Sequence, residues 1–331
     1  MNVKDFKWNK GMSVRELVGS YSKIGFQSVE LSRAADVIIK MRKSSAKIFL
    51  TFTSNMITSG LRGFFAQLIE LGLVDVAVTT AGSVEEDVMK SIGEEFNIGT
   101  FDADDIELYE QGINRVGNLM IKNESYMNFE DWMIKFLGEI YERKKRWCVS
   151  ELLKEIGLKL KDKNSFLYQA AKNDVPVFCP AITDAGIGFH LYLFQQKHKD
   201  FIVDVIEDFG NILLCTNFDE KKGVIALGGS ISKHHAILCT LLNGGAEYAV
   251  YMTTAHKTSG SMSGATTSEA KSWGKVKDDS DIATVIGDVT IMFPLVMIKV
   301  LEELDSEGLL KREIKEVDKE RLDNYKENVK S

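Results

Sequence analysis

The feature that most constrains this chain is a recurring pattern: a short, almost wholly apolar run, a turn of small or polar residues, then a stretch with helical periodicity. Lys47-Ile-Phe-Leu-Thr-Phe52 leads through Ser54-Asn-Met-Ile-Thr-Ser-Gly60 into a helix over Leu61 to Leu71. Val74-Asp-Val-Ala-Val-Thr-Thr80 leads through Ala81-Gly82-Ser83 into a helix over Val84 to Ile92. Gly223-Val-Ile-Ala-Leu227 leads through Gly228-Gly229-Ser230 into a helix carrying Lys233, His234 and His235. Strands this apolar have no face to give to water. They predict a Rossmann-like parallel sheet flanked by helices, with ligands met at the carboxyl ends of the strands.

Val175-Pro-Val-Phe-Cys179, Tyr248 to Thr253 and Ala283 to Ile286 extend the expected sheet, and Asn211-Ile-Leu-Leu-Cys215 is a further strand candidate. Val14 to Arg42 reads as helix, with Ala34, Ile38 and Met41 at helical spacing, and Glu130 to Lys145 as another. Gly99 to Asn128 is polar and turn-rich, an excursion from the sheet, and the charged stretch from Asp305 onward reads as a solvated helix. With 331 residues, 44% apolar content, only 3 prolines and no Pro/Ser-rich linker, the chain is expected to form one continuous α/β domain.

A net charge of -7 argues against a nucleic-acid-binding surface. Cys148, Cys179, Cys215 and Cys239 have no paired metal spacing and read as reduced core residues, so no metal site is expected. The N-terminal residues lack the basic and apolar regions of a signal peptide, and no run of about 20 apolar residues occurs. A cytoplasmic protein without a membrane segment is expected. Asn123-Glu-Ser125 matches a glycosylation acceptor pattern that has no consequence without secretion.

Two clusters carry chemistry. In Glu269-Ala-Lys-Ser-Trp-Gly-Lys275 a lysine follows a rigid aromatic wall and a glycine, behind the Gly/Ser/Thr-rich segment from Thr253 to Thr267. A lysine amine kept neutral is a nucleophile; the plainer alternative is an exposed, charged lysine. Thr79-Thr-Ala-Gly-Ser83 precedes Glu85, Glu86 and Asp87, which suit either a helix start or contacts to a ribose or cation. No GxGxxG fingerprint follows an early strand, so a dinucleotide would be held by several strand-end loops, among them Ser54-Asn55 and Thr183-Asp184. His234 and His235 point about 100 degrees apart on a helix, which disfavours them as paired metal ligands but leaves one free to act as a base.

Taken together, Ser54-Asn55, Thr80-Ala-Gly82 with Glu85-Glu86-Asp87, Pro180-Ala-Ile-Thr-Asp184, Lys233-His234-His235, Asn243-Gly-Gly-Ala-Glu-Tyr248-Ala-Val-Tyr251 and Ser272-Trp273-Gly274-Lys275 resemble the deoxyhypusine synthases, in order, from about Gly25 to about Leu301. The resemblance implies a homotetramer with active sites shared between subunits. It divides the chain into an N-terminal extension, 1–24, and an NAD-binding domain, 25–331. It implies NAD-dependent oxidation and cleavage of spermidine, with the 4-aminobutyl group carried on a lysine as an imine and passed to a lysine of the precursor of the hypusine-containing translation factor. By that resemblance Lys275 forms the imine, Trp273 walls the aminobutyl chain and His234 moves protons. Ser54, Asn55, Thr80, Ala81, Gly82, Glu86, Asp184, Thr254, Ala255 and Asp288 fall on cofactor positions, and Glu85, Glu86 and Glu269 on amine-binding ones.

Five positions depart from the family pattern: Phe189, Ser259 and Met262 replace acids, while His256 and Lys257 replace glutamine and glutamate. A buried ammonium without its carboxylate costs several kcal/mol. The lysine chemistry is therefore retained while amine recognition is altered. Two alternatives accompany transfer to a protein lysine: transfer between small amines of the homospermidine or agmatine type, and an inactive NAD-binding oligomer.

Overall fold

The structure, a computed structural model, describes residues 2–310. These fall into two compact units, 2–52 with 71–78 and 209–310, and 53–70 with 79–208. Neither unit is a continuous stretch of chain, so no linker composition marks a boundary between them.

The first unit is built on five parallel strands, β1 (Lys47–Thr51), β2 (Val76–Val78), β3 (Lys222–Leu227), β4 (Ala246–Thr253) and β5 (Val276–Ile286), in the order β5-β4-β3-β1-β2. This is the expected Rossmann-like α/β arrangement. In register, Phe49 lies beside Val224 and Val76, and Tyr251 beside Ala226 and Thr284. Ile48, Phe49, Leu50, Val224, Ala226 and Val250 are buried, as a parallel sheet covered on both faces requires. Gly223 is needed for packing, since a Cβ there would meet Met41 Sδ at 2.6 Å.

The N-terminal region is helical but not continuous. Val14–Ser20 starts with a capping box between Ser13 and Glu16, runs into a 3₁₀ turn over Tyr21–Lys23, and the next helix, Gln27–Lys43, begins after Phe26 at φ 62°. The single helix expected over Val14 to Arg42 is thus broken in two. Asn211 to Cys215 is not a strand: the segment completes the helix Val205–Leu213 and the turn that follows it. A four-residue apolar run fits either period; here Asn243 Nδ2 donates to Leu213 O at 3.2 Å, serving a helix-end carbonyl. The helix Val289–Ser306 is capped by Asp288. The charged helix expected from Asp305 onward lies mostly outside the described residues: Asp305 and Ser306 end the Val289–Ser306 helix.

The second unit is mainly helical, with Arg62–Glu70, Ala81–Ser91, Asn123–Arg143, Val149–Leu160, Phe166–Lys172 and Gly186–Lys197 as its longer helices. The excursion of Gly99 to Asn128 carries a small antiparallel sheet of Asn97–Ile98, Leu119–Lys122 and Ile113–Val116. The unit's polar centre is Asp87, fully buried. It pairs with Arg62 Nε and accepts from Ser165 Oγ at 2.7 Å and Leu167 N at 3.0 Å.

Candidate active site

In the first unit, the turn after β3 is shaped by glycine. Gly228 has φ 79°, and at Gly229 the backbone of Ser263 approaches so closely that a Cβ would sit 2.3 Å from its Cα. This launches the helix Ser230–Leu242, whose first turns place Lys233 and His234 over the carboxyl end of the sheet. β4 contributes Tyr251. The segment that returns to β5 supplies the remaining wall: Thr266 caps the short helix Thr267–Ser272, accepting from Glu269 N at 3.1 Å, and Gly274 at φ 70° reverses the chain so that Lys275 immediately precedes β5.

These groups enclose one cavity of about 260 Å³, lined by Lys233, His234, Tyr251, Met262, Glu269, Trp273 and Lys275 among others. Lys275 is 6% exposed, and its Nζ lies 5.0 Å from the centroid of the Trp273 ring. Its main chain is fixed at both ends: its N–H donates to Ala270 O at 3.1 Å, while its carbonyl accepts from Ala246 N at 3.1 Å and Thr240 Oγ1 at 3.3 Å. Partial burial, then the positive charge of Lys275, hold His234 below the ordinary imidazole range. A neutral imidazole beside an amine is able to accept its proton. His235 does not join it. Half-buried with its ring 5.6 Å from that of Phe209, it is pushed down to about 4 by burial and does not line the cavity.

Of the cofactor positions in this unit, Thr254 is exposed, Ala255 N donates to Thr253 Oγ1 at 3.0 Å, and Asp288 accepts from Thr290 N at 2.7 Å as a helix cap. None of the three lines the lysine cavity.

In the second unit, Ser54, Thr80 and Gly82 lie together. Ser54 N donates to Thr80 Oγ1 at 3.1 Å, and a Cβ on Gly82 would meet Ser54 Cβ at 2.9 Å. The helix starts at Ala81, three residues earlier than its apolar pattern suggests, so Glu85, Glu86 and Asp87 are not first-turn acids. Thr80 makes no side-chain cap, and its carbonyl accepts from Ser83 N at 3.0 Å, so part of the helix start is already satisfied within the chain. Glu86 accepts from the Thr58 hydroxyl, and burial pushes its carboxyl up to about 7. Glu85 accepts from Ile187 N at 3.1 Å and is also raised, mainly by burial. Two carboxyls that burial makes harder to ionise, beside a glycine packed on Ser54, suit the hydroxyls of a ribose better than a diphosphate. Asn55, at a helix start, and Asp184, on a bend, are both exposed.

Comparison with known proteins decides the ancestry. The deoxyhypusine synthase family profile matches residues 16–300. The chain belongs to the deoxyhypusine synthase family. A Halobacterium salinarum protein assigned as a deoxyhypusine synthase is 38% identical over 300 residues, covering 89% of this chain and 91% of that one. A Schizosaccharomyces pombe protein assigned likewise is 38% identical over 304 residues, covering 87% of each. The crystal structure of an Entamoeba histolytica protein with the same assignment superposes with a TM-score of 0.67 at 28% identity, covering 94% of this chain and 99% of that chain. Family membership supports an NAD-using transferase. Among the described residues no helix is long and apolar enough to cross a membrane.

Among the cavity residues, Lys233 and Tyr251 have no role assigned from sequence, each entering only as part of a motif that carries the family resemblance. The signal that bears on Lys233 is the Gly228-Gly229 turn, which fixes the start of its helix. Of the three positions that replace acids, Met262 lies in the cavity wall, Ser259 is exposed with its hydroxyl donating to His256 O at 2.9 Å, and Phe189 is 58% exposed on the Gly186–Lys197 helix. His256 and Lys257 are exposed.

Proposed function

We propose that this chain is an NAD-dependent transferase that takes the 4-aminobutyl group of spermidine onto Lys275 as an imine. It delivers that group to a lysine of the precursor of the hypusine-containing translation factor. The observation that carries this reading is a buried lysine beside an aromatic wall, a histidine held below the ordinary imidazole range and a carboxylate in one cavity. Lys275 supplies the nucleophilic nitrogen, and Trp273 offers a flat face to a methylene chain. Glu269 attracts an ammonium, and His234 accepts a proton as an amine becomes a nucleophile. Ser54, Asn55, Thr80, Ala81, Gly82, Glu86, Asp184, Thr254, Ala255 and Asp288 are the residues assigned to NAD, with Glu85 assigned to the amine. NAD, when bound, supplies hydride acceptance and return. The assembly assigned to it is a cytoplasmic homotetramer with shared sites, the segment 1–24 serving as an extension of an NAD-binding domain over 25–331.

A second reading, transfer between small amines, is favoured by Met262. The cavity wall presents a thioether there, so Glu269 is the one carboxylate among the residues lining it. A donor with fewer ammonium groups would suit such a wall. The test is incubation of the protein with NAD and spermidine, reduction with borohydride, and peptide mass spectrometry. Release of 1,3-diaminopropane with a 4-aminobutyl adduct on Lys275 is expected, and labelling of the translation factor precursor follows on the first reading but not the second. Full transfer by Lys275→Ala would refute both.

A further inference from the structure

Lys233 is fully buried, yet among the described residues it has no carboxylate within ion-pair distance. Its ammonium is satisfied in another way: Nζ donates to Met262 O at 3.0 Å and to Ala265 O at 2.8 Å, and lies 4.0 Å from the centroid of the Tyr251 ring. Burying a long cation against carbonyl dipoles and a ring is expensive unless the geometry it enforces is needed. Both carbonyls belong to one loop. That loop is seated on the helix start by a second contact, Ser230 N donating to Ser263 Oγ at 3.2 Å, while Lys257 to Ser261 form its exposed crest. Met262 and Ala265 are also cavity-lining residues.

We propose that Lys233 is a positioning residue, a strap that holds the Met262–Ala265 main chain as a fixed wall of the Lys275 cavity and thereby sets how bulky an amine-bearing chain the cavity admits. Charge-assisted bonds to two carbonyls three residues apart fix both the distance and the tilt of the loop, which one bond would not do. The Met262 side chain, carried on that loop, then meets the ligand at a set distance. In a wall of this kind one extra methyl group changes reaction rates by roughly 10-fold or more. A loop released from Lys233 would yield to the same methyl group. The other charged or titratable groups facing this cavity are His234, Tyr251, Glu269 and Lys275, and none of them bonds the loop carbonyls.

The inference rests on Lys275 as the imine-forming residue, and its test separates the two. Full-length protein without NAD is treated with butanal or with 3-methylbutanal, which adds one methyl group away from the carbonyl. Condensation with the Lys275 amine releases water, borohydride delivers hydride to the C=N carbon, and mass spectrometry follows the rate. In the natural protein the branched aldehyde should label Lys275 at least about 10-fold more slowly than the linear one. In Lys233→Met this gap should close to within about 3-fold, with linear labelling little changed. Amide hydrogen exchange over 261–266 should accelerate by about 10-fold or more, while exchange over Ser230–Leu242 stays the same. Ser263→Ala, which removes only the second contact, should shift both readouts less and in the same direction, and serves if Lys233→Met fails to fold. An undiminished aldehyde gap, or unchanged exchange over 261–266, overturns the strap. Absence of any Lys275 labelling in the natural protein refutes the imine reading instead, and the strap then stands or falls on hydrogen exchange.

Discussion

Glu86 gives the sharpest test of the second unit. Its carboxyl is 8% exposed and pushed by burial from the ordinary 4.5 to about 7, with the Thr58 hydroxyl and the charge of Lys90 opposing the rise. A folded-state value above the unfolded one means that the native protein binds the proton more tightly. The stabilisation is therefore fully present below pH ~4.5 and lost as pH rises through ~7. The displacement corresponds to on the order of 3 kcal/mol between the two limits. Glu86→Gln keeps an oxygen for Thr58 to donate to and cannot ionise. The perturbation should thus raise stability at pH 8 by about 1 to 3 kcal/mol, the lower end reflecting loss of the Lys90 attraction, and change it little at pH 4.5. Urea unfolding of both proteins across this range, followed by far-ultraviolet circular dichroism, measures the difference curve, in which the other titrating groups cancel. A difference between variant and parent that is flat from pH 4.5 to 8 would show that the buried carboxyl is not strained by its charge.

Arg62→Met should destabilise the second unit by about 3 to 5 kcal/mol in urea unfolding, because it leaves the fully buried Asp87 without its guanidinium and also removes the contact to Asp162 at 2.5 Å. Asp288→Ala should cost about 1 kcal/mol through loss of the helix cap, and NAD titration by fluorescence decides whether it also weakens cofactor binding, as its assigned cofactor role requires.

The sheet was legible because parallel strands buried on both faces must be written as continuous apolar runs, and Lys47 to Phe52 or Gly223 to Leu227 have no other use. Asn211 to Cys215 defeated the same logic: a buried helix end is equally apolar, and what distinguishes it is a hydrogen bond from Asn243, thirty residues on. The start of the Ala81–Ser91 helix was missed because the small residues Ala81, Gly82 and Ser83 carry no apolar period. The lysine motif is contiguous in sequence and so could be read directly, Glu269, Trp273 and Lys275 lying on one short helix and its exit. The function of Lys233 is not written in any local pattern, since its partners are main-chain carbonyls, which every residue type provides. The same holds for Asp87, whose burial follows from Arg62, Ser165 and Leu167 rather than from its neighbours in sequence.

The three main-chain bonds at Lys275 bear on timing as well as place. A lysine on a mobile loop would have to be immobilised at each turnover, at the expense of ligand affinity. Here Ala246, Ala270 and Thr240 fix the backbone when the sheet itself forms. Only the side-chain torsions remain to be ordered, so the entropy of placing this amine is settled at folding rather than at binding. Thr240, buried and outside the cavity lining, thereby becomes a position whose substitution would be felt in the placement of an amine that it bonds only through the main chain.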